Sequence, residues 1–173
     1  MKSKQISFLL TGLLIIVAGI IILYILLLTP TGIPNIAVNI SYSLKDGMMI
    51  KHTGGDTISV NDTDILVRPM TGLENYEYMS WVVNRSVIRN LQNRNETWDY
   101  NLSDSMPQFK PNQTLFIEPG DLNLIQEKFN GEVEGQNSKY GFNLTNNIGK
   151  TFTLSFINKG LKEFCKTNVT INP

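Results

Sequence analysis

The sequence predicts a mainly β protein in which one N-terminal transmembrane α-helix precedes an extracellular β-sandwich. The first sign is the apolar run FLLTGLLIIVAGIIILYILLL at residues 8–28, which carries no charge and is long enough to cross a bilayer core. The second is the alternation of apolar and polar residues after residue 35, interrupted by Gly, Asn and Asp. We therefore divide the chain into a helix over residues 1–29, a Pro/Gly linker over 30–35 and a β-rich head over 36–173.

The apolar run predicts a helix that stays in the lipid bilayer rather than a cleaved signal peptide. A secretory signal has a shorter apolar core and a cleavage site between small residues. The segment LLLTPTGIP at residues 26–34, where the run ends, offers no such site. Lys2 and Lys4 lie on the short N-terminal side, which places that end in the cytoplasm and the head outside the cell. The predicted location is therefore the cell membrane, crossed once.

Small residues recur on one face of this helix. Thr11 and Gly12 lie seven residues before Ala18 and Gly19, which is nearly two helical turns. Small side chains let a second helix approach closely within a membrane. The alternative is that glycine is simply frequent in membrane helices. The sequence leaves both interpretations open.

The head contains two predicted hairpins. Apolar and polar residues alternate over residues 36–42, and Asp46-Gly47 is a turn signal before the apolar residues 48–50. Residues 151–171 show a second alternating pair of segments with a turn near Lys159-Gly160. Strand signals at this spacing favour a β-sandwich, and its type, immunoglobulin-like or that of a pilin head, stays open. Between the hairpins, residues 56–60, 64–69 and 75–83 predict further strands and residues 120–131 a short helix.

The charge balance gives no reason to expect nucleic acid as a partner. Lys plus Arg and Asp plus Glu number 15 each, and the part after residue 30 carries 13 basic and 15 acidic residues once Lys2 and Lys4 are set aside. A nucleic-acid-binding surface needs a basic patch, and none is visible. Cys165 is the only cysteine, so the chain forms no internal disulfide. Its position in the last alternating segment predicts a buried, unreactive thiol.

Asparagine in the Asn-x-Ser/Thr pattern is unusually frequent in the head, and such sites belong on the surface of exported proteins. Four of these asparagines fall on the polar side of alternating segments and are predicted to face water: Asn39, Asn101, Asn143 and Asn168. The alternative is that a chain rich in Asn and Thr forms the pattern by accident. The candidate glycosylation sites are Asn39, Asn61, Asn84, Asn95, Asn101, Asn112, Asn143 and Asn168.

The segment KHTGGDTISV at residues 51–60 holds the only histidine. A metal site built from His52 with Asp56, Asp62 and Asp64 would need three or four converging ligands, and the spacing gives weak support for that. A Ser/His/Asp arrangement is not recognisable, since no nucleophile elbow is present. We therefore expect no catalytic residue, no metal and no cofactor, and we predict that the protein is not an enzyme.

A structural turn is the favoured interpretation of this segment. Adjacent glycines permit the positive φ that a tight connection between strands requires. An aspartate beside them can accept hydrogen bonds from local backbone, and a histidine at the strand end can hold the turn through either ring nitrogen. The predicted structural turn consists of His52, Thr53, Gly54, Gly55 and Asp56.

The segment GMMIKHTGGDTISVNDTDILVRP at residues 47–69 resembles the strand–turn–strand segment of the archaeal type IV pilin N-terminal domain family. That family has a hydrophobic N-terminal helix, a short linker with proline, a strand similar to NIAVNISY and a His-x-Gly-Gly-Asp turn. All four occur here in that order. The resemblance covers residues 5–70 well and the closing hairpin loosely, and residues 71–148 are unmatched. It implies a head of the pilin type.

The resemblance also implies processing by a prepilin-type peptidase just before the helix. Such peptidases favour a small residue before the cut and a basic residue ahead of it, so a cut after Ser3 fits and a cut after Lys4, which leaves Gln5 first, does not. Many pilins carry Glu five residues into the mature helix, whereas this helix contains no acidic residue.

The resemblance favours a structural pilin-like subunit or minor pilin at the cell surface, associated with itself or with other pilins through its N-terminal helix. The alternative is a single-pass surface protein that does not polymerise and whose head binds a partner or a glycan. For that alternative, the aromatic residues Tyr76, Tyr78 and Trp81 are candidates for a binding face, although core and edge packing is the favoured interpretation of them.

Overall fold

The computed structural model describes residues 15–20, 32–69, 81–125, 145–160 and 162–173. The chain forms two compact units, Met1–Ile33 and Pro34–Pro173, and the boundary falls inside the predicted linker at residues 30–35. In the first unit, residues 15–20 are helical and exposed. The described residues include no helix with the length and apolar character that a membrane crossing requires. The rest of the helix predicted for residues 1–29 lies outside the described residues.

The second unit is mainly β, as predicted. Its strands form two four-stranded sheets, ordered β1-β2-β8-β6 and β10-β9-β4-β5, and the pair β3-β7. The strands are β1 (Ile36–Ser43), β2 (Gly47–Gly55), β3 (Ile58–Ser59), β4 (Thr63–Pro69), β5 (Trp81–Val82), β6 (Arg89–Asn90), β7 (Gln108–Phe109), β8 (Thr114–Ile117), β9 (Thr151–Asn158) and β10 (Glu163–Thr170). Short 3₁₀ helices span Arg85–Val87, Pro119–Leu124 and Thr145–Asn147.

Both predicted hairpins are confirmed. β1 pairs antiparallel with β2, and its inward side chains at positions 36, 38, 40 and 42 alternate with exposed ones. The turn ends at Gly47, whose φ is +85°, and a Cβ there would lie 2.2 Å from the carbonyl oxygen of Ile117. Only glycine tolerates that combination. β9 pairs with β10 through the predicted turn near Lys159.

The two four-stranded sheets contribute side chains to one hydrophobic core. Near its centre, the ring of Phe109 lies edge-on to Trp98 with centroids 5.9 Å apart and parallel to Phe156 at 6.4 Å. Trp98 is fully buried, and its Nε1 has no hydrogen-bond partner in the described part of the protein. Fully buried aromatic side chains contribute large apolar areas to stability, so this cluster is a main source of cohesion.

Several elements differ from the sequence predictions. β8 was not expected, although it lies between β2 and β6 in the first sheet. β9 is buried on both faces, including the polar Thr153 and Ser155. The predicted alternation of buried and exposed residues accounts for the burial of only one of these faces. A 3₁₀ helix at Pro119–Leu124 occupies the start of the short helix predicted for residues 120–131. The strand predicted for residues 75–83 is described only from Trp81 onward.

Arg85 holds together a region with little regular structure. Its Nε and Nη2 donate to Oδ1 of Asp64, Nη2 also donates to the carbonyl of Thr63 at 2.7 Å, and Nη1 donates to the carbonyls of Val60 and Trp98 at 3.2 and 3.4 Å. These bonds engage all five guanidinium N–H groups. The side chain is only 13% exposed. One side chain therefore connects the β3–β4 link, the first 3₁₀ helix and the buried Trp98.

Replacing Arg85 by Lys should lower the free energy of unfolding by about 2 kcal/mol, because an ammonium group cannot reach the same carbonyl oxygens and leaves some of them without a donor. The matched control is Arg94→Lys. The bond from Arg94 to Glu118 is 3.4 Å long between side chains that are 67% and 44% exposed, so its replacement should change stability by less than about 0.5 kcal/mol. Urea unfolding of both variants measures the difference, and equal losses would contradict this role of Arg85.

Candidate functional site

The predicted turn at residues 52–56 is part of a strand. His52, Thr53, Gly54 and Gly55 all belong to β2, so the expectation of a tight turn built on two glycines is wrong. Thr53 is left without a partner in β1, because the pairing passes from Val38–His52 to Ala37–Gly54. This one-residue bulge bends the strand. Within residues 52–56, only Gly55 has positive φ, at +95°.

Asp56 binds the residue that precedes β1. Its backbone N–H donates to the carbonyl oxygen of Asn35 at 2.8 Å, and its Oδ2 accepts from the backbone N–H of Asn35 at 2.9 Å. Both backbone polar groups of Asn35 are thereby satisfied by one residue that lies 21 positions later. We call this arrangement of Asn35, Gly55 and Asp56, together with His52, the entry clasp. Asp56 does bind backbone, but the prediction of a local backbone partner is wrong, because Asn35 lies 21 positions away in sequence.

His52 supports the clasp from inside the domain. Its side chain is fully buried, and its ring lies edge-on to Phe109 at 5.0 Å. Its Nε2 is 2.9 Å from the carbonyl oxygen of Asp56. A carbonyl oxygen only accepts, so Nε2 carries the proton in this contact. Nδ1 has no partner within the described residues.

The backbone of His52 reaches a second connection. Its N–H donates to the carbonyl of Gln113 at 2.9 Å, and its carbonyl accepts from Asn112 at 2.8 Å. Asn112 adopts φ of +72°, which suits the turn between β7 and β8. His52 therefore joins the clasp, the aromatic core and this turn.

The residues considered as metal ligands do not converge. Asp64 pairs with Arg85, and the His52 ring contacts Phe109 and a carbonyl oxygen. Among the described residues, no group of three His, Cys, Asp or Glu side chains could hold a metal ion. The geometry of residues 52–56 supports a structural role.

A surface cleft of about 330 Å³ lies beside Arg85 and is lined by residues 82–86 and 99–101. Arg85 Cζ is 4.5 Å from the centroid of the Tyr100 ring, and Lys159 Nζ is 5.3 Å from it. Asp99 accepts at Oδ1 from the backbone and side-chain amides of Asn101, at 3.0 and 3.1 Å. Sequence analysis did not identify this cleft, because its two segments meet only in the folded chain.

Six of the seven candidate glycosylation asparagines within the described residues are exposed. They are Asn39, Asn61, Asn95, Asn101, Asn112 and Asn168, whereas Asn84 is half-buried and Asn143 lies outside the described residues. The predicted exposure of Asn39 and Asn168 on strands is confirmed. Asn101 is exposed on a turn rather than on the predicted alternating strand. Asn84 caps the first 3₁₀ helix, since its Oδ1 accepts from the backbone N–H of Ser86.

The N-terminal candidates are described only in part. Ala18 and Gly19 are exposed, and a Cβ on Gly19 would meet no atom within 4 Å. Other candidates lie outside the described residues: Thr11 and Gly12 of the packing face, Ser3, Lys4 and Gln5 of the processing site, and Tyr76 and Tyr78 of the aromatic segment. Of Trp81, only the backbone is described, in β5.

Cys165 is a free, half-buried thiol that packs against the core from β10. Its predicted orientation is confirmed, and its predicted full burial is not. Burial raises the pKa of the Cys165 thiol, and the negative charge of Glu163 raises it further. The thiolate is the reactive form of cysteine, so this environment disfavours reactivity near neutral pH.

Comparisons with known proteins give no family assignment. No protein-family model matches the chain, and a search of curated proteins finds no match.

Gly55→Ala should destabilise the head by about 2 kcal/mol or more. The residue has φ of +95°, which is unfavourable for a side chain, and a Cβ would lie 2.1 Å from the carbonyl oxygen of Asn35. The neighbouring Gly54→Ala is the matched control, because Gly54 has open space around a Cβ and no positive φ. Its effect should stay within about 0.5 kcal/mol. Thermal unfolding of the two variants compares them directly, and similar losses would show that the clasp does not constrain Gly55.

Alkylation of Cys165 by iodoacetamide should be slower in the folded protein than in the unfolded chain at pH 8. The raised pKa of the thiol moves the rise in rate to higher pH. Glu163→Gln removes the negative charge that contributes to the raised pKa, so it should accelerate alkylation of the folded protein. The rates in denaturant should be equal for both proteins. A Glu163→Gln variant that reacts no faster when folded would contradict the electrostatic contribution.

Proposed function

We propose that this protein is a structural, pilin-like subunit or minor pilin of an archaeal cell surface, with a β-sandwich head outside the cell and an N-terminal helix in the membrane or in a filament. The observation that carries the proposal is the entry clasp. The residues that resemble the His-x-Gly-Gly-Asp motif of pilin-like proteins are the residues that hold Asn35, at the point where the chain enters the head. A structural role accounts for these motif residues without a catalytic or metal-binding function.

The clasp suits a subunit that is held by its N-terminal end. A pull on the linker acts first on Asn35, whose N–H and carbonyl are both bonded to Asp56. From Asp56 the load passes through His52 to the β7–β8 turn and through β2, which lies inside its sheet rather than at an edge. A head that is anchored through its first strand benefits from such a path.

The described part of the helix supports association with other apolar groups. The side chains of residues 15–20 are Ile, Ile, Val, Ala, Gly and Ile, and all are exposed. Water disfavours such a surface, which is typical of helices that pack in a membrane or against other helices. This helix has no acidic residue, so packing rather than charge pairing would drive its association.

A second candidate is the single-pass surface protein that does not polymerise and binds a partner through its head. The observation that favours it is the cleft beside Tyr100, because concave sites with a few polar groups are the usual form of small-ligand sites. The two candidates share the membrane helix and the extracellular head. They differ in whether the N-terminus is processed.

The deciding experiment is the intact mass and N-terminal sequence of the protein recovered from its native cell surface. Processing after Ser3 predicts a chain that begins at Lys4. Ser3→Gly keeps a small residue before the cut and should be processed like the wild type, whereas Ser3→Leu should retain its N-terminus. A wild-type chain that begins at Met1 or Lys2 would exclude the processed subunit and favour the binding protein.

A further inference from the structure

We propose that the cleft beside Tyr100 is a saccharide-binding site. The saccharide has two sources with the same chemistry: an N-linked glycan of this protein on Asn84 or Asn101, or a free saccharide at the cell surface. The first source rests on the proposed extracellular location of the head, and the second is independent of it. Neither depends on whether the protein forms filaments.

The size and lining of the cleft fit one or two sugar rings. A volume of about 330 Å³ is near the lower end of the range for small-molecule pockets. Val82 and Tyr100 are each 43% exposed and provide apolar surface. The Arg85 and Lys159 cations already lie over the Tyr100 ring, at 4.5 and 5.3 Å from its centroid, so a sugar would contact the remaining exposed surface of the ring. Amide, carboxylate and hydroxyl groups of the other lining residues can bind sugar hydroxyls.

The charges of the cleft favour a neutral ligand over an anion. All five N–H donors of Arg85 are engaged by protein oxygens, and its charge is paired with Asp64. Arg85 therefore has no pair of free N–H donors with which to bind a phosphate or carboxylate. Of the remaining charges, Lys159 near the Tyr100 ring is offset by Asp99 in the cleft wall. A polyhydroxyl compound needs dispersed donors and acceptors rather than net charge.

Unused hydrogen-bonding groups are present at the cleft. Asn84 accepts at Oδ1 from the N–H of Ser86 at 3.1 Å and from its hydroxyl at 2.8 Å, while Nδ2 has no partner within the described residues. Asp99 uses Oδ1 for Asn101 and keeps Oδ2 without a described partner. One donor and one acceptor on opposite segments of the wall are suited to adjacent hydroxyl groups of a sugar.

Two glycosylation candidates line this one cleft, and the other five described ones do not. Asn84 is also the only half-buried member of the described set. Attachment would join Nδ2 to the anomeric carbon of a lipid-phosphate-linked sugar; the carbon–oxygen bond to phosphate breaks, the lipid phosphate leaves, and Nδ2 loses one proton. A glycan attached at either asparagine starts at the cleft wall, where its first rings can contact Tyr100.

The test uses two forms of the full chain, both kept in detergent. The first form is produced in a bacterial host that lacks N-glycosylation. The second, native form is purified from the cell surface on which the protein occurs. The first form is titrated with the methyl glycosides of glucose, galactose, mannose and N-acetylglucosamine while amide and methyl NMR shifts are recorded. We expect at least one probe to shift Val82, Asn84 and Tyr100. Tyr100→Leu and Asn84→Asp should weaken binding at least tenfold, and Tyr100→Phe should retain it.

Asn84→Asp keeps an oxygen that caps the 3₁₀ helix, so it remains informative if Tyr100→Leu does not fold. Leu102→Ala is the control outside the cleft, because Leu102 is exposed and does not line it. The native form is mapped for glycans at Asn84 and Asn101, and their release by a glycosidase should be faster in Tyr100→Leu than in the wild type. Binding of a methyl glycoside supports a free saccharide as the ligand. A glycan that is protected from the glycosidase supports an N-linked glycan of this protein as the ligand. If no probe binds and no protected glycan is found at either asparagine, the proposal is wrong, whatever the N-terminal sequence is.

Discussion

The head depends on how the residue before its first strand is held. Asn35 precedes β1 and would be free to fray, yet both of its backbone polar groups are bonded to Asp56. This arrangement requires β2 to bulge at Thr53 and Gly55 to adopt a left-handed φ, since a side chain there would collide with Asn35. It also requires the His52 side chain to point inward, where its Nε2 donates to the carbonyl oxygen of Asp56 and its ring packs on Phe109. The start of the domain and its aromatic core are thus one connected arrangement.

Strand-like residue patterns and turn residues made part of this fold predictable. β1, β2, β4 and the β9–β10 hairpin follow from apolar and β-branched residues and from turn residues such as Asp46-Gly47. β8 escaped prediction because its buried pattern in the sequence TLFI does not alternate, and because its pairing with β2 joins residues more than 60 positions apart. β3 lies within the strand predicted at residues 56–60, whereas its partner β7 is only two residues long, which is too short for any periodic signal.

The sequence predicted less of the candidate site than of the fold. The sequence indicated that residues 52–56 are structural, because one histidine with scattered aspartates is a poor catalyst and two glycines suggest unusual backbone. It could not show that Asp56 binds Asn35, since a local turn satisfies the same residue types. No sequence pattern indicated the structural role of Arg85. In the segment VVNRSV it resembles an ordinary surface arginine, and its partners at Val60, Asp64 and Trp98 meet it only through tertiary structure.

The described surface of the head bears on how a pilin-like subunit would assemble. Apart from Val82 and Tyr100 at the cleft and Leu102 close to Tyr100 in sequence, its exposed large apolar residues are single and separated, at Leu124 and Ile148. Such scattered residues are normal on soluble domains, whereas obligate interfaces need contiguous apolar patches. The helix is different, because every described side chain in it is exposed and none is charged. In the proposed filament, cohesion would therefore reside in the helices, and the clasp at Asn35 would hold the chain where it enters the head.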